Sequence, residues 1–160
     1  NKRGLGSPVF QRSYFRKLLD LYGHRALLHG IEHEGEILTV VLSLSAGGVI
    51  YPYYSGTAEG ANRLGASNAL YASLMEAAVE LGFELFDFGR SRIGSGPASF
   101  KQHMGFEPTP LDYQFYFPDG GQPPHLSPDN PSLAIPQRIL SSLPMWMART
   151  VGPMLMRHVP

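Results

Sequence analysis

Apolar residues recur along this chain in two rhythms. Phe10, Tyr14, Leu18 and Leu21 fall at helical spacing, with Phe15 and Leu19 widening the face. Ser7 and Pro8 mark the helix entrance and Gly23 its end. Residues 25–33 and 36–46 then read as two strands rich in Leu and Val, with Glu34-Gly35 as the turn between them. Gly47-Gly48 is a two-residue hairpin signal. A third strand over 49–54 contains Pro52, which implies an edge or a bulge. Residues 55–65 form a small-residue loop, and Ser67 or Asn68 caps a helix reaching about Leu81. Leu70, Leu74, Ala77, Ala78 and Leu81 make its apolar stripe, and Gly82 stops it. A strand over 83–88, a loop over 89–96, a short helix from Pro97 to about Met104 and a last strand over 112–117 complete the pattern.

This order, α-β-β-β-α-β-α-β, predicts a mixed α/β sheet with helices on its faces. The first three strands pair as an antiparallel meander. The fourth follows a helix and is expected to run parallel to its neighbour. From Pro118 the rhythm stops. "PDGGQPPHLSPDNPS" is a Pro/Gly linker, and proline-broken apolar pieces follow, carrying Trp146, Met147, Met154, Leu155 and Met156. The expected division is a domain over 1–118 and a linker with a short helical tail over 119–160. The tail packs on protein or lies on a membrane surface.

Composition narrows the classes. The chain has 160 residues, 43% of them apolar, enough for one domain with a core. Thirteen basic residues balance 13 acidic ones, which disfavours a nucleic-acid role at the level of net charge. There is no cysteine, so disulfides, thiolate metal sites and a cysteine nucleophile are excluded. A reducing, cytoplasmic compartment fits, with the tail as a contact at the inner face of the membrane. The opening "NKRGLGSP" reads as a piece of a longer protein. His29 and His33 lie roughly 13 Å apart on a strand, too far for one metal, and no metal site is expected. The isolated acids show no paired spacing for acid–base work. Of Tyr51, Tyr53 and Tyr54, two are expected on opposite faces, with one lining a cleft.

The candidate chemistry is concentrated in "FDFGRSRIGSGPASFK", residues 86–101. Asp-Phe-Gly as a kinase signal fails, because the glycine-rich loop, strand lysine and catalytic-loop Asp are missing. A hydrolase turn, Gly-x-Ser-x-Gly, is closer, but Ile93 stands where glycine is needed. An anion cradle fits best. The loop leaves a strand and enters a helix amino terminus, Gly94 and Gly96 permit close backbone approach, and Arg90, Arg92 and Lys101 add cations. Such a site suits a carboxylate, a phosphate or the oxyanion of acyl transfer. A plain helix cap with solvated arginines is the alternative.

The run from Tyr51 through "FDFGRSRIGSGPASFKQHMGFEP" resembles the second half of Fem-type proteins, which share the GNAT acyltransferase fold, especially the type associated with exosortase and PEP-CTERM exopolysaccharide systems. The resemblance covers about residues 5–117. It implies a missing amino-terminal GNAT-like half and a cell-envelope or small-molecule substrate, with aminoacyl-tRNA as acyl donor and tRNA bound through that missing half. It assigns Lys101 the stabilisation of charge at the transferred acyl group, with Phe100 beside it. Tyr53, Tyr54, Asp87, Arg90, Ser91, Arg92, Gly94 and Gly96 are the further substrate-binding candidates. Acetyl-CoA-dependent GNAT enzymes carry Arg/Gln-x-x-Gly-x-Gly/Ala after a bulged strand. Read from Arg63, this chain departs from that spacing, which ranks acyl-CoA below other donors. The alternatives are an acetyl-CoA-dependent N-acetyltransferase and a non-catalytic module that binds an anionic or saccharide ligand.

Overall fold

Two left-handed glycines shape the first half of the sheet. Gly47 and Gly48, at φ +56° and +76°, make the tight hairpin turn that joins β2 (Glu36–Ala46) to β3 (Val49–Thr57). Positive φ at both central positions matches the strand twist and is cheap only without a Cβ. β1 (Ala26–His33) pairs antiparallel with β2 through the Glu34-Gly35 turn. β4 (Leu85–Phe86) pairs parallel with β3, giving the order β1-β2-β3-β4. Among the described residues the α-helices are α1 (Arg12–Tyr22), α2 (Ala66–Glu80) and α3 (Gly96–His103).

This computed structural model describes residues 10–114, 116 and 118. Residues Arg12–Glu107 form one unit; Phe10, Gln11 and the described residues from Pro108 on belong to another. The expected Ser7-Pro8 helix entrance and the tail over 119–160 lie outside the described residues.

α2 forms because alanines and leucines fill it and no proline interrupts it. Leu70, Leu74 and Ala78, at four-residue spacing, bury against Val41 of β2 and Ile50 of β3. Leu27, Ile31, Tyr71, Phe83 and Phe86 pack around that cluster. Burial of each leucine contributes about 1.5–3 kcal/mol. α1 lies on the opposite side of the sheet. Tyr54 pairs with Leu42, whose side chain points away from the Val41 face, and the Phe15 ring of α1 meets Tyr54 at 4.8 Å.

Several expectations from the sequence require correction. β3 runs on to Thr57 rather than ending at Tyr54, because the Thr39 hydroxyl reaches Thr57 Oγ1 at 2.9 Å and Gly56 O at 3.2 Å. The expected loop also contains a 3-10 turn over Ala61–Leu64. Neither Ser67 nor Asn68 caps α2: Gly65, at φ +70°, stands at that position. Leu81 is exposed and does not belong to the buried stripe. The fourth strand is only two residues long. Phe83 N–H is taken by Ala78 O as α2 closes, and Asp87 already turns out of the ladder after bonding Ile50 O at 3.0 Å. Of the strand expected at 112–117, the described residues Asp112, Tyr113, Gln114 and Tyr116 carry no sheet pairing. Leu111 and Tyr113 stay exposed, so no burial rewards an extended pairing there.

The three tyrosines break strict alternation as well. β3 skips a residue opposite Leu42/Ser43, pairing Tyr54 with Leu42 and Pro52 with Ser43. Tyr53 is the extra residue of this bulge. Tyr51 and Tyr54 therefore share the α1 side, and the Tyr53 hydroxyl meets that of Tyr14 on α1 at 2.8 Å. None of the three is placed on the opposite face.

Candidate functional site

β3 and β4 part company almost as soon as they pair. Their register covers Val49↔Leu85 and Ile50↔Phe86, with one further bond from Asp87 N–H to Ile50 O. Beyond that point β3 continues to Thr57 with no strand on this edge among the described residues, while the other chain turns away into the loop before α3. An open groove of about 410 Å³ lies on the α2 side of the sheet, between the end of β3 and the amino ends of α2 and α3. Ser55 contributes from β3, Asn62, Gly65, Ser67, Asn68 and Tyr71 from the entrance and first turns of α2, and Gly96, Pro97 and Phe100 from α3.

Backbone polarity gives the groove its electrostatic character. The first helical bond of α2 is Ala69 N–H to Gly65 O, so the N–H groups of Ala66, Ser67 and Asn68 precede the helical ladder. They and the helix dipole place partial positive charge at the groove wall. Gly65 faces open space there, and its positive φ is one that a residue with a Cβ adopts only under strain. The Ser67 hydroxyl donates to Asn62 Oδ1 at 2.6 Å, tying the turn to the helix start. Tyr71 supplies the one ionisable side chain of the lining. Behind it, the Tyr71 ring meets Phe88 at 4.6 Å and Phe100 at 5.7 Å. Phe88 in turn contacts Phe106 at 4.9 Å, so the groove floor rests on an aromatic cluster.

The structure divides the residues singled out in the sequence into four groups. Phe100 and Gly96 line the groove. Asp87 and Lys101 hold the loop beside it: the Asp87 carboxylate accepts from Gly89 N–H at 2.7 Å, and Lys101 Nζ donates to Gly89 O at 2.6 Å and to Arg90 O at 3.4 Å. Lys101 Nζ also sits 5.3 Å from the centre of the Phe88 ring. Burial pulls the Lys101 ammonium below its ordinary pKa, while the Asp87 charge works in the opposite direction. Arg90, Ser91, Arg92 and Gly94 are exposed along the loop. Tyr53 and Tyr54 lie on the α1 side of the sheet, away from the groove. Ser95 caps α3 by accepting from Ala98 N–H at 3.3 Å.

Asn62, Gly65 and Ser67 were missed by reading the loop from Arg63. Read from Asn62, "NRLGAS" keeps glycine at the fourth place and a small residue at the sixth, with Asn where the acetyl-CoA-dependent pattern has Arg or Gln. The bulge at Tyr53 also supplies the bulged strand that precedes this pattern. In this register the spacing does not rank acyl-CoA below other donors.

Among the described residues no helix is long and apolar enough to cross a membrane. Among the same residues, no three His, Asp or Glu side chains gather to hold a metal ion.

The sequence profile of the acetyltransferase (GNAT) domain family matches residues 1–102. An aminoglycoside acetyltransferase from an uncultured soil metagenomic sample, solved in complex with sisomicin, aligns with a TM-score of 0.54 at 16% identity, over 68% of this chain and 74% of its own. The aminoglycoside N-acetyltransferase AAC(6')-Iy, solved in complex with CoA, aligns with a TM-score of 0.51 at 13% identity, over 66% of this chain and 89% of its own. At these identities the likeness is one of fold. A comparison with curated protein sequences gave no match.

Proposed function

This chain belongs to the GNAT acetyltransferase domain family, and from that premise we propose that it is an N-acyltransferase taking its acyl group, acetyl foremost, from acyl-CoA. The observation that carries the donor assignment is the α2 entrance. Ser67 and Asn68, whose N–H groups precede the helical ladder, line a groove that a diphosphate fits by charge. Beyond Ile50 no strand among the described residues lies on this edge of β3, a second support, because an extended arm bearing amides can add along a sheet edge. A solved relative that holds CoA supports the same donor.

The acceptor is an amine. Its lone pair attacks the thioester carbonyl, the C–S bond breaks, the acyl group passes to nitrogen and CoA leaves as the thiol after taking a proton. Among the described residues, the groove lining holds no carboxylate, imidazole or ammonium. Rate enhancement on this reading comes from positioning the two reactants and from backbone hydrogen bonds. The amine must then arrive unprotonated. The expected kcat/KM rises with pH up to the pKa of the acceptor amine, and the inflection moves when an amine of different basicity is used. An inflection that stays fixed across acceptors would assign a protein base instead.

The direct test is incubation with acetyl-CoA and a panel of primary amines, following thiol release and the mass of the amine together. Stoichiometric thiol and N-acetyl product is expected. No product from any amine, combined with transfer from aminoacyl-tRNA, would favour the Fem-type reading. That second reading, aminoacyl transfer in cell-envelope or exopolysaccharide metabolism with an additional amino-terminal half, is supported by the Phe-Lys pair, whose Phe100 lines the groove.

A further inference from the structure

Gly89 is held from both sides. Its N–H goes to the Asp87 carboxylate at the end of β4, and its carbonyl accepts from Lys101 on α3. The next carbonyl, Arg90 O, accepts from the same ammonium. The third direction of the Lys101 ammonium is occupied by the face of Phe88. This ammonium thus spends its donors on the loop that leads into α3. Phe88 bridges that contact to the groove, since its ring touches both Tyr71 and Phe100 of the lining.

We propose that Lys101 is a positioning residue: it clamps the β4–α3 connection through the carbonyls of Gly89 and Arg90 and thereby sets where α3 presents Gly96, Pro97 and Phe100 to the acyl donor. This rests on the acyl-CoA reading of the groove. It differs from the role implied by the Fem resemblance, in which the same ammonium faces the transferred acyl group. Partial burial lowers the pKa of the ammonium, consistent with a group pressed against ring and backbone rather than one free in solvent. The aliphatic stem of Lys101 is not the clamp; its donors are. A side chain of similar length without donors should release the loop, and one with more donors should restore it.

The test uses Lys101→Met and Lys101→Arg in the full chain. Amide hydrogen exchange over residues 88–95 is expected to accelerate at least about tenfold in the Met variant and to return within about threefold of wild type in the Arg variant. CoA binding by calorimetry is expected to weaken about tenfold in the Met variant and to recover in the Arg variant. In acetyl transfer, the Met variant raises KM for the donor about tenfold and lowers kcat less than about threefold. A lysine that stabilises developing charge would instead lower kcat with little change in KM. Unchanged exchange in the Met variant, or an Arg variant as impaired as Met, overturns the clamp. If wild type binds no CoA, the donor reading fails, while the exchange comparison still decides the clamp.

Discussion

Tyr14 and Tyr53 share a hydrogen bond of 2.8 Å between α1 and the bulge of β3. That bond is the largest cause of a Tyr14 pKa pushed up to about 12 from 10.0, with burial adding to it. A raised pKa favours the neutral phenol in the folded state. The linked stability is fully present below pH 10.0 and is lost as pH rises towards about 12. Tyr53→Phe removes the main cause, so phenolate absorbance should show one fewer high-pKa tyrosine, and the alkaline loss of stability should shrink. Ser43 offers a second residue-scale test. Its hydroxyl is fully buried and finds no partner among the described residues. Ser43→Ala is expected to raise unfolding free energy by about 1 kcal/mol, read by denaturant titration. The sequence showed that a proline sat in β3 and that a bulge was one outcome. It could not show that Tyr53 would be the extra residue, because register depends on which carbonyls Leu42 and Ser43 meet across the hairpin.

At the scale of elements, the long periodic segments were readable and their ends were not. β2 begins and ends where its alternation does, and Gly47-Gly48 turns as its chemistry requires. The start of α2 was misassigned because Ser67 and Asn68 have cap chemistry, whereas the chain uses Gly65 and turns Ser67 onto Asn62. Gly65→Ala is expected to cost about 1 kcal/mol in stability, because a Cβ is strained at φ +70°. It should also weaken CoA binding, since the α2 entrance must shift. The cap of α3 was not singled out in the sequence, which placed the helix from Pro97. Ser95 accepts from Ala98 N–H and donates to Arg92 O at 2.6 Å. Ser95→Ala is expected to destabilise the fold by about 1 kcal/mol, measured by thermal or denaturant unfolding. In the strand expected at 112–117 the described residues stay exposed, and a local alternation does not reveal whether a buried surface faces it.

For the whole molecule, element order carried most of the information. A meander, a helical crossover and a short parallel strand place the opening between β3 and β4 beside two helix entrances. The stretch at residues 86–101 drew attention for its charges, yet its arginines stay on the exposed loop, while Gly96 and Phe100 reach the groove. The other wall, residues 62–68, holds no cluster of charged side chains and drew little notice. Its chemistry lies in backbone N–H groups, which every sequence has and only a fold can aim. The central claim is that this wall holds the diphosphate of the acyl donor. A two-dimensional amide NMR titration with CoA tests it most directly. Saturable shifts are expected at Gly65, Ser67 and Asn68, with smaller ones at Ser55 and Gly96. Saturable binding whose shifts fall elsewhere, or no binding at all, would contradict it.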